Sequence, residues 1–177
     1  MKTPLMNSVS SGTFVVAFGA NLNDPIDTLK KAYAELAISW TCIGASHLYR
    51  TAPVGGVEQG DFTNAIAVFQ ADLTPHQVLQ ELHRVENEFG RTREVRWGPR
   101  TLDLDLIAMW DGDQPVHLDT EELTIPHPRA AERSFVTVPW TDIDLPQQFR
   151  VLPEHGEVDS LPSSREQLVQ LTERLDS

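Results

Sequence analysis

An α+β fold, with elements ordered strand, helix, strand, strand, helix, strand, is what this sequence predicts, and three features predict it. Short β-branched and aromatic runs alternate with amphipathic stretches. Two of the amphipathic stretches open on a helix start, Asp24-Pro25 and Thr74-Pro75. Turn-forming residues separate the segments, with no internal repeat.

Thr13 to Phe18 reads as a buried strand, broken at Gly19 to Asn23. Asp24 is an N-cap followed by proline at the first helical position, and Ile26, Leu29, Tyr33 and Leu36 follow at helical spacing. Ala45 to Arg50 reads as a second strand, and Pro53, Gly55, Gly56 and Gly60 mark a loop. Phe62 to Ala71 reads as a third strand, with Phe62, Asn64, Ile66 and Val68 on one face. Thr74 to Gln77 is a capping box. Val78, Leu82, Val85 and Phe89 form the buried stripe that follows, and Gly90 ends it. Arg91 to Pro99 is polar and aperiodic, and Leu102 to Met109 reads as a fourth strand. This βαββαβ order, with a mainly antiparallel sheet, is that of the ferredoxin-like folds. Phe135 to Val138 is expected to add a strand. Ser164 to Leu175, with a cap and apolar Leu168, Leu171 and Leu175, is expected to form a packed helix. The expected organisation is a loose tail over 1–12, one domain over 13–150 and a C-terminal extension over 151–177.

The bulk numbers exclude several function classes. The chain has 177 residues, 40% of them hydrophobic, enough for one domain with a real core. With 26 acidic and 14 basic residues its net charge is -12, which argues against attraction to nucleic acid or an anionic membrane. An anionic substrate must then be met locally, and Arg91, Arg93, Arg96, Arg100, Arg129 and Arg133 cluster in one central stretch. Cys42 is the single cysteine, so neither an intrachain disulfide nor a cysteine metal site is expected. With no secretory signal or spanning segment in view, the expectation is a cytoplasmic protein.

Asp103 and Asp105 stand two apart on an expected strand, so both carboxylates project from one face while Leu102, Leu104 and Leu106 point into the core. Paired carboxylates suit magnesium, which takes one or two of them together with substrate phosphate. Two solvated aspartates on a sheet edge fit the same spacing. Arg91, Arg93, Arg96 and Arg100, just ahead of that strand, supply the forked donors that phosphate oxygens accept. A divalent cation beside arginines is equipment for phosphoryl transfer. Some of these arginines are expected to pair with acidic side chains instead. There is no GxxxxGK[ST] phosphate loop. His76 and His83 read as surface residues of one helix. His127, between Pro126 and Pro128, fits a placed functional group or an ordinary turn equally well. Phe62 and Phe135 are core residues or stacking partners for a flat ligand.

The string Arg96-Trp97-Gly98-Pro99-Arg100-Thr101-Leu102-Asp103-Leu104-Asp105-Leu106 resembles the signature of the 6-hydroxymethyl-7,8-dihydropterin pyrophosphokinases of folate biosynthesis. The resemblance runs from about Phe14 to about Trp140, through Phe18-Gly19-Ala20-Asn21-Leu22, Tyr49-Arg50-Thr51-Ala52-Pro53-Val54-Gly55, Phe62-Thr63-Asn64-Ala65, Glu86-Asn87-Glu88-Phe89-Gly90-Arg91-Thr92-Arg93, Ile125-Pro126-His127-Pro128-Arg129 and Arg133-Ser134-Phe135. It implies transfer of pyrophosphate from ATP to the pterin hydroxymethyl group, with release of AMP. By the same resemblance Asp103 and Asp105 hold two magnesium ions, and Arg91 and Arg93 ride on a mobile loop that closes over the phosphates. Arg100, His127 and Arg133 grip the nucleotide, with Glu86, Trp97 and Leu106 at the same site. Phe62 and Phe135 sandwich the pterin, and Thr51, Asn64 and the backbone near Val54 read its hydrogen-bonding edge.

Ala20, Ala52 and Val54 depart from the family pattern, as does the acidic stretch Asp111 to Glu122; residues after Arg150 match nothing in it. The implied partners are small molecules, ATP and the reduced pterin, acting on a monomer without nucleic acid or membrane. Two rivals share features of the sequence. A two-metal nucleotidyl transferase would also use strand aspartates. An RNA-recognition module would share the element order, but its aromatic motif is absent and the charge is of the wrong sign.

Overall fold

The computed structural model describes residues 12–51, 61–89, 101–161 and 168–177. The expected tail up to residue 11, the Pro53–Gly60 loop, the arginine loop with Gly90 and the first residues of the expected C-terminal helix lie outside the described residues.

The framework is an antiparallel sheet with helices on both faces. Its first strand, β1 (Gly12–Ala20), is followed by α1 (Pro25–Ser39), β2 (Thr41–Ala45), β3 (His47–Thr51), β4 (Phe62–Ala71), α2 (Pro75–Glu88) and β5 (Asp103–Asp111). Short strands β6 (Gln114–Pro115), β7 (Leu118–Asp119) and β8 (Thr124–Ile125) lead to α3 (Ser134–Thr141); a small hairpin, β9 (Val151–Leu152) and β10 (Gly156–Glu157), precedes the last strand, β11 (Leu168–Arg174). The large sheet runs β11-β3-β4-β1-β5-β6, with β2 also paired to β4. Every pairing in it is antiparallel.

Local chemistry fixes the first two helices. Asp24 accepts a hydrogen bond from the Asp27 N–H at 3.2 Å, with Pro25 behind it where a missing N–H costs nothing. Thr74 and Gln77 form the reciprocal capping box, at 3.2 and 2.9 Å. Both helices lay their apolar stripes on one face of the sheet. There Leu29, Leu36, Val78 and Leu82 meet Phe14, Phe18 and Phe69. The opposite face buries Val15, Ile66, Val68 and Ile107 beneath α3 and the segment after it, whose Trp140 donates its indole N–H to the Phe149 carbonyl at 2.9 Å.

Four expectations change. The first strand runs through Gly19 to Ala20, because β4 pairs with it to Ala20 and β5 to Gly19. The second strand is two, β2 and β3, parted at Ser46, whose N–H donates to the Ile66 carbonyl at 2.9 Å and whose hydroxyl accepts from the Ile66 N–H at 2.9 Å. Phe135 to Val138 is helical, not extended. Val136, Thr137, Val138 and Trp140 are all buried, and packing overrides their β propensity. Leu168 to Arg174 is a strand, not a helix. Its pairing with β3 is irregular between Gln170 and Arg174, which sets its half-buried Leu168, Leu171 and Arg174 three apart and imitates a helical period. No helix among the described residues is long and apolar enough to cross a membrane.

Candidate active site

The floor of the site is the sheet face that carries α3. On β5, Leu104 and Leu106 enter the core beneath α1 and α2, so Asp103 and Asp105 project from the other face. Residues directly opposite one another share a face, so the register shows what lies beside them. Asp105 stands opposite Ala17, and Ala17 opposite Ile66. Asp103 stands opposite Gly19, Gly19 opposite Asn64, and Asn64 opposite Tyr49. Asp103 and Asn64 therefore flank a residue with no side chain. A Cβ there would lie 3.0 Å from Asn64 Oδ1, so glycine keeps this part of the floor clear and the amide in place.

One strand further, Thr51 stands opposite Phe62. Asn64 donates its Nδ2–H to Thr51 Oγ1 at 2.8 Å, and both are buried, at 6% and 8% exposure. A buried amide whose orientation is fixed in this way costs little entropy to engage a polar ligand edge.

At the aspartate end, Arg133 immediately precedes α3, with its guanidinium 4.0 Å from Asp105 and 5.6 Å above the Phe135 ring. His127 donates its backbone N–H to the Ile107 carbonyl at 2.8 Å, and its Nδ1 accepts from the Arg129 N–H at 3.2 Å. In the neutral ring the proton is therefore on Nε2. Burial first, then the Arg133 and Arg129 charges, push His127 below the ordinary imidazole value, against the pull of Asp103.

An open cleft of about 320 Å³ lies beside β5 at the aspartate end. Leu79, His83 and Glu86 line it from α2, Asp103 to Leu106 from β5, and Glu121 to Thr124 with His127 from the far side. Glu86 is 2% exposed, and one of its oxygens accepts the Leu104 N–H at 2.8 Å. Among the described residues no strand pairs with the outer edge of β5 at Leu104, where the α2 carboxylate takes the ladder's place, and β6 joins only at Trp110.

Of the residues singled out from sequence, the structure brings Glu86, Asp103, Asp105, Leu106 and His127 to one cleft. Arg133 is beside Asp105, and Thr51, Phe62 and Asn64 are close along the sheet. Phe135 is half-buried, packed on the core beneath α3. Val54, Arg91, Arg93, Trp97 and Arg100 lie outside the described residues. The sequence reading missed the joining of Glu86 to Leu104, the place of Gly19 between Asp103 and Asn64, and the cleft walls Leu79 and His83. The spacing Leu79, His83, Glu86 was a signal for one shared helix face.

Among the described residues no three His, Cys, Asp or Glu side chains converge as a metal cage. Two carboxylates alone fit magnesium, which draws its remaining oxygens from water and phosphate.

Comparison with known proteins agrees with this geometry. Residues 15–145 match the family model described as 7,8-dihydro-6-hydroxymethylpterin-pyrophosphokinase. The 2-amino-4-hydroxy-6-hydroxymethyldihydropteridine pyrophosphokinase of Bacillus subtilis is 40% identical over 130 residues, covering 72% of this chain and 75% of the relative. The Haemophilus influenzae protein of the same name is 40% identical over 134 residues, covering 74% and 81%. That of Pseudomonas aeruginosa is 34% identical over 161 residues, covering 84% and 96%. Among solved structures, a Plasmodium falciparum HPPK-DHPS with pterin and p-hydroxybenzoate superposes with a TM-score of 0.64 at 11% identity, over 90% of this chain. The wild-type HPPK-DHPS with SDX-DHP gives 0.60 at 12%, over 85%. This chain spans less than half of those longer proteins, 47% and 44%, and the likeness speaks for the fold alone. With the family match reaching from β1 to the end of α3, and relatives matched over most of their own length, this chain belongs to the 7,8-dihydro-6-hydroxymethylpterin-pyrophosphokinase family.

Proposed function

We propose that the chain transfers the β,γ-pyrophosphoryl unit of ATP to the hydroxymethyl oxygen of 6-hydroxymethyl-7,8-dihydropterin, releasing AMP, in folate biosynthesis. The observation that carries the reading is the single sheet row in which Asp103 and the Asn64–Thr51 pair flank Gly19. A phosphate-side pair of carboxylates and a ring-reading amide then face one space. The strand order β3-β4-β1-β5, antiparallel throughout, supports the ferredoxin-like description of the core.

Asp103 and Asp105 are the residues that would hold magnesium, two ions in this reading. When bound, the metal offsets phosphate charge and acidifies the attacking hydroxyl. The chain's own side chains do the rest. Arg91 and Arg93 meet the phosphates, and Arg100, His127 and Arg133 hold the nucleotide, with Glu86, Trp97 and Leu106 at its site. His127, proton on Nε2, offers a donor to a phosphate oxygen without carrying a charge of its own. Phe62 and Phe135 enclose the pterin ring, while Thr51, Asn64 and the Val54 backbone bond its edge. Such an array positions a hydroxyl in line with the β-phosphorus, and no strong general base is required. The working unit in this proposal is a cytoplasmic monomer acting on small molecules.

The test is to incubate the protein with Mg-ATP and the reduced hydroxymethylpterin and identify the nucleotide product. AMP formed in step with pterin consumption is expected. ADP would make the chain a simple kinase, and released pyrophosphate would make it a nucleotidyl transferase.

A further inference from the structure

The family match ends at residue 145, yet the chain continues into β11, which occupies the outer flank of the sheet beside β3. Strand β3 is only five residues long, and it pairs with β4 from Tyr49 to Thr51. β11 covers those same residues from the other side, with Leu168 opposite Thr51, Val169 opposite Arg50 and Gln170 opposite Tyr49. The row that joins Asp103, Gly19, Asn64 and Tyr49 thus extends to Gln170, whose Oε1 accepts the Tyr49 hydroxyl proton at 3.1 Å. The far end of β11 is anchored separately. Leu175 donates its N–H to the Ser46 carbonyl at 2.9 Å, Arg174 reaches the Ala45 carbonyl, and Glu173 pairs with Lys30 at 2.6 Å.

We propose that β11 is a positioning element for the pterin end of the site. By pairing along Tyr49–Thr51 it holds Thr51 at the height where Asn64 and Phe62 meet it. This rests on the proposed function. Without β11 the outward N–H and C=O groups of β3 would face water, and a five-residue strand secured on one flank frays at its ends. The Thr51 end would then sample positions that do not present the Asn64–Thr51 pair. The aspartates are on β5, two strands beyond Asn64, and gain nothing from β11. The effect should therefore divide between the two substrates.

The experiment uses the full chain and a double variant, Val169→Pro with Gln170→Pro. Successive strand N–H groups point to opposite flanks, so one of the two prolines removes a donor to β3 whichever way the ladder runs. The anchors at Glu173 to Leu175 remain. Pterin KM is expected to rise at least about tenfold while equilibrium Mg-ATP affinity stays within about twofold, a split that general loss of fold would not give. An unchanged pterin KM, or an equal loss for both substrates, would overturn the proposal. Gln170→Ala, at an exposed position, decides the matter if the double variant does not fold. It should raise pterin KM about two- to threefold with ATP affinity untouched, and no change in either would overturn the role of the strand. A wild-type chain that makes AMP beside variants that behave identically would sink the inference alone; a wild-type chain that makes none would sink the proposed function.

Discussion

Replacing Glu86 by alanine should cost both stability and turnover, through the backbone rather than through the ligand. Glu86 is almost fully buried, and its carboxylate accepts the Leu104 N–H at 2.8 Å. Leu104 lies between Asp103 and Asp105, so this bond sets the height of the backbone that carries both. Losing a hydrogen bond to a carboxylate costs about 1.5–3 kcal/mol. The truncated side chain opens onto the cleft, where water can enter, so the cavity adds little. For a chain of this size each kcal/mol lowers Tm by roughly 2–4 °C, and the melt should fall by about 3–12 °C. If the aspartate backbone shifts by about 1 Å, the rate should drop on the order of a hundredfold. Glu86→Gln keeps an oxygen acceptor of nearly the same shape, so it should retain most of both properties. The assays are thermal melts, single-turnover rates and the magnesium concentration giving half-maximal rate, which should rise for alanine and not for glutamine. An alanine variant that melts within about 1 °C of wild type and turns over normally would refute the reasoning, because the bond would then hold nothing in place.

Three further outcomes are expected. Asp105→Ala should cut turnover by more than about a hundredfold while leaving the melt nearly unchanged, since its side chain is partly exposed and its ion pair with Arg133 is long; near-normal activity at ordinary magnesium would contradict the assignment. Gly19→Ala places a methyl 3.0 Å from Asn64 Oδ1, so the amide must shift, and pterin KM should rise several-fold with ATP affinity intact, read by steady-state kinetics and nucleotide titration. Because His127 is held below its unfolded imidazole value, the folded state binds fewer protons than the unfolded chain between its lowered value and about 6.5. Stability should therefore fall as pH drops through that window and be unaffected above it, and His127→Gln should flatten that part of the Tm–pH curve relative to wild type.

Much of the fold could be read from residues whose signals are local. Phe62–Ala71 is found as read, because Phe62, Thr63, Ile66, Val68 and Phe69 favour an extended backbone and Thr63 to Phe69 are buried on both faces. The caps of α1 and α2 are found as read because the hydrogen bonds that make them span three residues. Failures come where distant segments decide. Ser134–Thr141 is rich in β-branched residues, yet it is helical, with Val136, Thr137, Val138 and Trp140 all buried, so packing against distant segments overrides the local preference. Leu168, Leu171 and Leu175 carry a helical spacing that belongs to an irregular strand, and nothing near them in sequence reveals β3. At the site, Asp103 and Asp105 were legible because a strand's two-residue period puts them on one face. The nearness of Asn64 to Asp103 was not, because register across β1 is set by pairing over long separations.

The glycine between Asp103 and Asn64 also turns the sheet into a gauge. Neighbouring strands stand roughly 4.8 Å apart whatever their side chains, so the backbones carrying Asn64 and Asp103 are separated by two such steps, about 9.6 Å. Hydrogen-bond pitch, rather than the packing of any one residue, then fixes how far the ring-reading amide lies from the carboxylates. A substrate analogue with one extra methylene between ring and hydroxyl should still seat its ring against Asn64 but carry its oxygen past the point of attack. It should bind comparably and react poorly, and compensating core substitutions should not restore it, because no core substitution changes the spacing of strands.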